Sequence, residues 1–232
     1  MLPSSGPPFD VCLRDAQQHG VVIGVALPSG PEPVPEGVLA RLLPAEVEHA
    51  RTLRGFKQVQ WVGGRLAAQR AIRMLGLEPQ AVLSDGHGAP AVALQLGLSL
   101  SIAHKRDMAV ALVARARNGA LGVDIEDLDP PRMRVAERVL TPDERAVVQA
   151  LPDERQWTAV VVRFSLKEAI YKALAPTLRR YIDFQEAEVL PMPDGSARVH
   201  MRLARGETAP RLDARYSWLP GRVLSTVRAR WP

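Results

Sequence analysis

Gly122-Val123-Asp124-Ile125-Glu126 alternates apolar and acidic residues, and Phe164-Ser165-Leu166-Lys167-Glu168-Ala169-Ile170-Tyr171-Lys172 spaces its charges as a helix would. The first stretch reads as a strand. With a period of two, Leu121, Val123 and Ile125 face one way and Gly122, Asp124 and Glu126 the other. Two carboxylates then stand side by side, and they repel unless a cation or protons neutralise them. Hard oxygen donors favour Mg²⁺ or Mn²⁺, ions that keep waters and bind phosphates as well. Gly122 on that face leaves room for a ligand. A solvated polar face on an edge strand is the plainer reading. In the second stretch Glu168 and Lys172 are four apart and share a helix face, where an ordinary ion pair is worth about 0.3–0.5 kcal/mol. Lys167 points about a quarter-turn away from them.

Outward from these two stretches the chain alternates between strand and helix patterns. Residues 98–103 and 108–115 read as strands, and Asn118-Gly119 between two apolar runs is a strong hairpin signal. It places Asp124 and Glu126 on a central hairpin strand. Thr141-Pro142-Asp143-Glu144 is a helix start, with Thr as N-cap, Pro in the first position and Glu three after the cap. The next helix spans about 153–175 and is expected to stop before Pro176. An earlier helical pattern runs over 44–75, where Gly63-Gly64 marks a break or a close approach. The C-terminal part alternates as strands over 186–190, 197–203, 215–219 and 223–229. The order of helix, strands, helices and strands predicts an α+β fold of two halves of similar size, 1–118 and 119–232, with no evident sequence repeat between them.

With 232 residues, 47% of them hydrophobic, the chain has ample material for a core. One cysteine, Cys12, excludes an internal disulfide framework and fits a reducing compartment. The first residues, MLPSSGPPFD, have neither the basic nor the apolar region of a signal peptide, and no apolar run approaches the roughly 20 residues of a membrane span. A soluble cytoplasmic protein with no membrane partner is expected. The net charge of +5 favours an acidic partner. Eight arginines between Arg198 and Pro232 read as a basic face, but no nucleic-acid motif accompanies them. Only four lysines (Lys57, Lys105, Lys167 and Lys172) stand against 26 arginines, and a compact ammonium suits contacts to phosphate oxygens.

Ser101-Ile102-Ala103-His104 ends a strand on His104, Lys105 and Arg106, either a cationic phosphate contact or a solvated turn. Taken in order, Gly64-Arg65, this strand end, Gly122 to Glu126, and Phe164 to Lys172 resemble the motifs of the 4′-phosphopantetheinyl transferases of the larger, Sfp/EntD-like type. The resemblance covers about residues 46–175. It implies a pseudo-twofold pair of α/β subdomains, each a small antiparallel sheet packed with a long helix, in a monomer. The N-terminal subdomain takes the nucleotide side of coenzyme A, and the C-terminal one carries the metal site and catalytic helix. The implied reaction is Mg²⁺-dependent transfer of 4′-phosphopantetheine from coenzyme A to a serine of an acidic acyl, polyketide or peptidyl carrier protein, as in secondary metabolite biosynthesis.

Residue by residue, Asp124, Glu126 and Glu168 match the family's metal ligands, with Mn²⁺ as the alternative ion. Lys172 matches its pyrophosphate lysine, with Lys167 beside it. His104 matches a coenzyme A phosphate contact, with Lys105 adjacent. Arg54, Lys57 and Arg65 fall where the family has basic residues near the 3′-phosphate. The serine proton goes to Glu168 or, second, to Glu144, which also reads as a capping residue. Two departures stand out: Ala103 replaces a common serine, and Ala89 stands where many members have lysine. They keep a second reading open, a non-catalytic coenzyme A or carrier-protein binding module of the same fold.

Overall fold

The computed structural model describes residues 7–84, 90–91 and 97–232. The chain divides into two compact units, Met1–Asn118 and Gly119–Pro232. The first contains β1 (Val11–Gln17), β2 (Gly20–Ala26), α1 (Glu36–Leu39), α2 (Pro44–Thr52), α3 (Gly55–Met74), β3 (Leu83–Ser84), β4 (Pro90–Ala91), β5 (Leu98–His104) and β6 (Met108–Arg115). Its main sheet is antiparallel in the order β1-β2-β6-β5, and α3 packs on it. The second contains β7 (Ala120–Asp127), α4 (Ala136–Val139), α5 (Pro142–Gln149), α6 (Asp153–Leu178), β8 (Ala187–Pro191), β9 (Ser196–Met201), β10 (Arg211–Leu219) and β11 (Arg222–Arg230). Its antiparallel sheet has the order β7-β11-β10-β9-β8, with α6 across it. The architecture is α+β in each unit. In both, the strand that precedes the helices lies beside the unit's last strand: β2 beside β6, and β7 beside β11.

Three local expectations differ from the fold. Asn118-Gly119 is no hairpin turn, because β6 and β7 belong to different sheets. Gly119 instead has φ +106, and a Cβ there would overlap the Ala229 carbonyl, so glycine lets β11 approach the start of β7. β7 is accordingly an edge strand. The 44–75 pattern is two helices, broken at Leu53 and Arg54, and Gly55 enters α3 with φ +56. Of the two readings of Gly63-Gly64, the close approach holds: Leu27 and Ile102 press on α3 at these points, and a Cβ on Gly64 would lie 2.8 Å from Ile102 Cγ2. Finally, α6 continues through Pro176 to Leu178 and ends on Arg179 in the left-handed conformation. A proline in the last turn forfeits one backbone bond, which the helix tolerates near its end.

A repeat does exist, hidden in hydrogen bonds. Glu46, third in α2, accepts from the backbone of Leu43 at its own helix start and of Val82, and from the side chain of Gln69 on α3. Glu144, third in α5, accepts from the backbone of Thr141 and Val189 and from Lys167 on α6. Each helix begins with proline, Pro44 or Pro142, and the same interval in the chain separates Arg65 from Arg163. The partners differ in chemistry, amide in one unit and ammonium in the other, so residue identity conceals the equivalence.

Candidate active site

The second unit gathers the acidic stretch and the lysine helix. Gly122 faces α6, and its missing Cβ is what admits the helix: an added carbon would overlap the Ala169 carbonyl oxygen and lie 2.9 Å from Ala173 N. The expected room for a ligand at Gly122 is therefore taken by α6. The face of β7 that carries Asp124 and Glu126 is covered rather than solvated, and they are only 5% and 8% exposed. Leu166, Ala169, Ile170, Ala173 and Leu174 pack into the core with Val223 and Val227 of β11, which fixes the helix rotation. Fully burying each larger aliphatic side chain contributes about 1.5–3 kcal/mol.

That rotation brings Lys172 to β7. Its Nζ donates to Asp124 Oδ1 at 2.7 Å and to the Val123 carbonyl at 3.1 Å. The lysine is a quarter exposed while the aspartate is nearly buried, so the pair sits at a mouth with one charge able to reach solvent. Oδ2 of Asp124 is buried and has no hydrogen-bond partner. Glu168 precedes Lys172 by one turn on the same helix face, is half-buried, and acts electrostatically on Arg138. Among the described residues, no three His, Cys, Asp or Glu side chains close on a common point. The donor set nonetheless suits a hard divalent cation: acceptor oxygens only, with one buried carboxylate oxygen awaiting a partner.

Glu144 and Lys167 have a different occupation. Lys167 Nζ lies 2.6 Å from Glu144 Oε2 and also donates to the carbonyls of Val139 (2.8 Å) and Phe184 (3.0 Å). Both side chains are buried, and burial pushes the Lys167 ammonium below its ordinary pKa against the pull of Glu144. Glu144 completes the capping box with Thr141 and accepts from Val189 N at 2.7 Å. Neither carries a group turned to solvent, so the pair locks α5, α6 and β8 together.

In the first unit Arg65, expected at the 3′-phosphate, is buried. Its Nε donates to the Val82 carbonyl at 2.8 Å, its guanidinium lies 4.2 Å from the Trp61 ring centroid, and burial holds its pKa down at about 10. Burial also raises the carboxyl of neighbouring Glu46. Arg54 and Lys57 are exposed at the start of α3, and His104 and Lys105 close β5 with His104 exposed. Ala89 lies outside the described residues. Two residues of the second unit escaped sequence reading. Ser225 lies directly across the ladder from Asp124, and exposed Arg138, which donates to Tyr181 Oη, feels the charge of Glu168. Only tertiary pairing could have found either.

Comparison with known proteins identifies a family. Residues 120–225 match the model of the 4′-phosphopantetheinyl transferase superfamily, and residues 46–114 that of the 4′-phosphopantetheinyl transferase N-terminal domain. The chain is 31% identical over 193 residues to 4′-phosphopantetheinyl transferase Npt of Nocardia iowensis, covering 76% of this chain and 80% of that protein. It is 28% identical over 209 residues to Svp of Streptomyces mobaraensis, with 85% and 76% covered. It is 28% identical over 207 residues to PptT of Mycobacterium tuberculosis, with 88% and 82% covered. Both of these are also named 4′-phosphopantetheinyl transferases.

Proposed function

The chain belongs to the 4′-phosphopantetheinyl transferase superfamily, and from that premise we propose that it moves 4′-phosphopantetheine from coenzyme A to a serine of an apo carrier protein, releasing 3′,5′-ADP. The observation that carries this reading is the bond from Lys172 on α6 to Asp124 on β7, which joins the two charged stretches at one mouth.

Asp124, Glu126 and Glu168 would hold Mg²⁺ or Mn²⁺ at that mouth. Bound there, the ion would neutralise the coenzyme A pyrophosphate and stabilise the departing oxygen. Lys172 adds a mobile point charge for the same phosphates. The serine oxygen attacks the β-phosphorus, the bond from that phosphorus to the ADP oxygen breaks, and the serine proton passes to a base. Glu168 is that base in this account, because the oxygens of Glu144 are engaged by Thr141, Val189 and Lys167. Arg54, Lys57 and Lys105 are the cations, and His104 the hydrogen-bond donor, that the first unit offers to the nucleotide phosphates. An acidic carrier suits the net charge of +5.

The test follows 3′,5′-ADP by chromatography after mixing the protein with coenzyme A, Mg²⁺ and an apo carrier. ADP should form only when the carrier is present, and Asp124→Ala and Glu168→Ala should form none while keeping the wild-type melting temperature. Coenzyme A retained with no ADP from any acyl or peptidyl carrier would decide for a non-catalytic binding module. Wild-type rates in either variant would overturn the metal assignment.

A further inference from the structure

Ser225 on β11 is paired directly with Asp124 on β7. Both side chains lie on the face turned to α6: Gly122 abuts Ala169, and Val223 and Val227, two residues either side of Ser225, pack with Ala169 and Ala173. Directly opposed residues of an antiparallel ladder hold their Cβ atoms about 4.5–5.5 Å apart. The hydroxyl and the carboxylate therefore share one small space. Ser225 is 0% exposed, yet its Oγ has no hydrogen-bond partner, and Oδ2 of Asp124 has none either.

A buried hydroxyl without a partner is costly, and alanine would occupy the same space without that cost. A serine in this position thus calls for a partner within reach. An ionised carboxylate has about four acceptor sites, and Lys172 uses Oδ1. The next residue of β11, Thr226, points to the opposite face. Resting on the metal reading above, we propose that Ser225 is a positioning residue for that site. Its hydroxyl, turned by one χ1 well, donates to Oδ2 of Asp124, fixes the plane of the carboxylate and aims its remaining lone pairs at the cation.

The test is Mn²⁺ titration of the whole chain without coenzyme A, read by the electron paramagnetic resonance signal of the free ion. It is run on wild type, Ser225→Ala, Asp124→Asn and the double variant, each also melted without metal. Ser225→Ala should weaken Mn²⁺ binding by about tenfold or more, and in the Asp124→Asn background it should change nothing further. Wild-type Mn²⁺ affinity in Ser225→Ala, with a raised melting temperature from loss of an unpaired hydroxyl, would overturn the proposal alone. So would an equal loss of affinity in both backgrounds, which marks a general packing effect. Wild-type protein that binds no Mn²⁺, or that binds it unchanged after Asp124→Asn, would overturn the metal reading and this proposal together.

Discussion

Glu186 shows how a single side chain ties the end of α6 to the sheet. Arg180, just past the end of α6, donates to both Glu186 oxygens, at 2.8 and 2.7 Å, and also grips Glu207. The Arg180 bonds hold the Glu186 carboxyl down at about 2, against burial, which opposes the charge. A carboxyl whose pKa is depressed on folding contributes stability that is complete above its unfolded value of 4.5 and is lost as pH falls through about 2. The melting temperature should therefore drop across that window, and Glu186→Gln should flatten the drop. An unchanged acid profile in Glu186→Gln would contradict this account. At the same scale, spacing alone showed which side chains share a face, Asp124 with Glu126 and Glu168 with Lys172; the roles of Asp124 and Lys172 came from the family resemblance, and their bond to each other only from the fold. Glu144 was legible only by half: its cap lay in the local sequence, whereas its bond to Lys167 joins residues on separate elements.

The helices and strands repeat that division. Alternation marked the two faces of β7, but not which neighbour covers each one. A hairpin at Asn118-Gly119 was the natural local reading, and it failed because β11, a hundred residues away in the chain, pairs with β7 instead. Proline is a strong local stop signal, yet α6 carries Pro176 in its last turn, where packing of Ile170, Ala173 and Leu174 outweighs one missing bond. The Glu144–Lys167 pair is the element-scale device to break. Lys167→Met leaves a buried carboxylate without its counter-charge and should cost about 3–5 kcal/mol, measured by urea unfolding. Adding Glu144→Gln should restore part of that loss. A loss below about 1 kcal/mol would put the pair on a level with an exposed surface bridge, and α5 would need another anchor.

For the molecule as a whole, the two units repeat one plan and differ in what it carries. Each closes a capping glutamate against its long helix, but only the second sets carboxylates on the strand beside that helix. The basic C-terminal run is in part internal. Arg222 pairs with Asp127 and Arg228 with Asp213, both directly across the ladder, at 2.7 and 2.9 Å. If the carrier is acidic, as proposed, the remaining excess of positive charge would steer it, and that steering would weaken with salt. Among the described residues, no helix is long and apolar enough to cross a membrane. The mass of the carrier tests most directly whether the mouth between β7 and α6 transfers phosphopantetheine, as proposed. Incubation of an apo carrier with this protein, coenzyme A and Mg²⁺ should add one phosphopantetheine to its serine, and the Asp124→Ala protein should add none. A panel of acyl and peptidyl carriers that all keep their apo mass with the wild-type protein would contradict it.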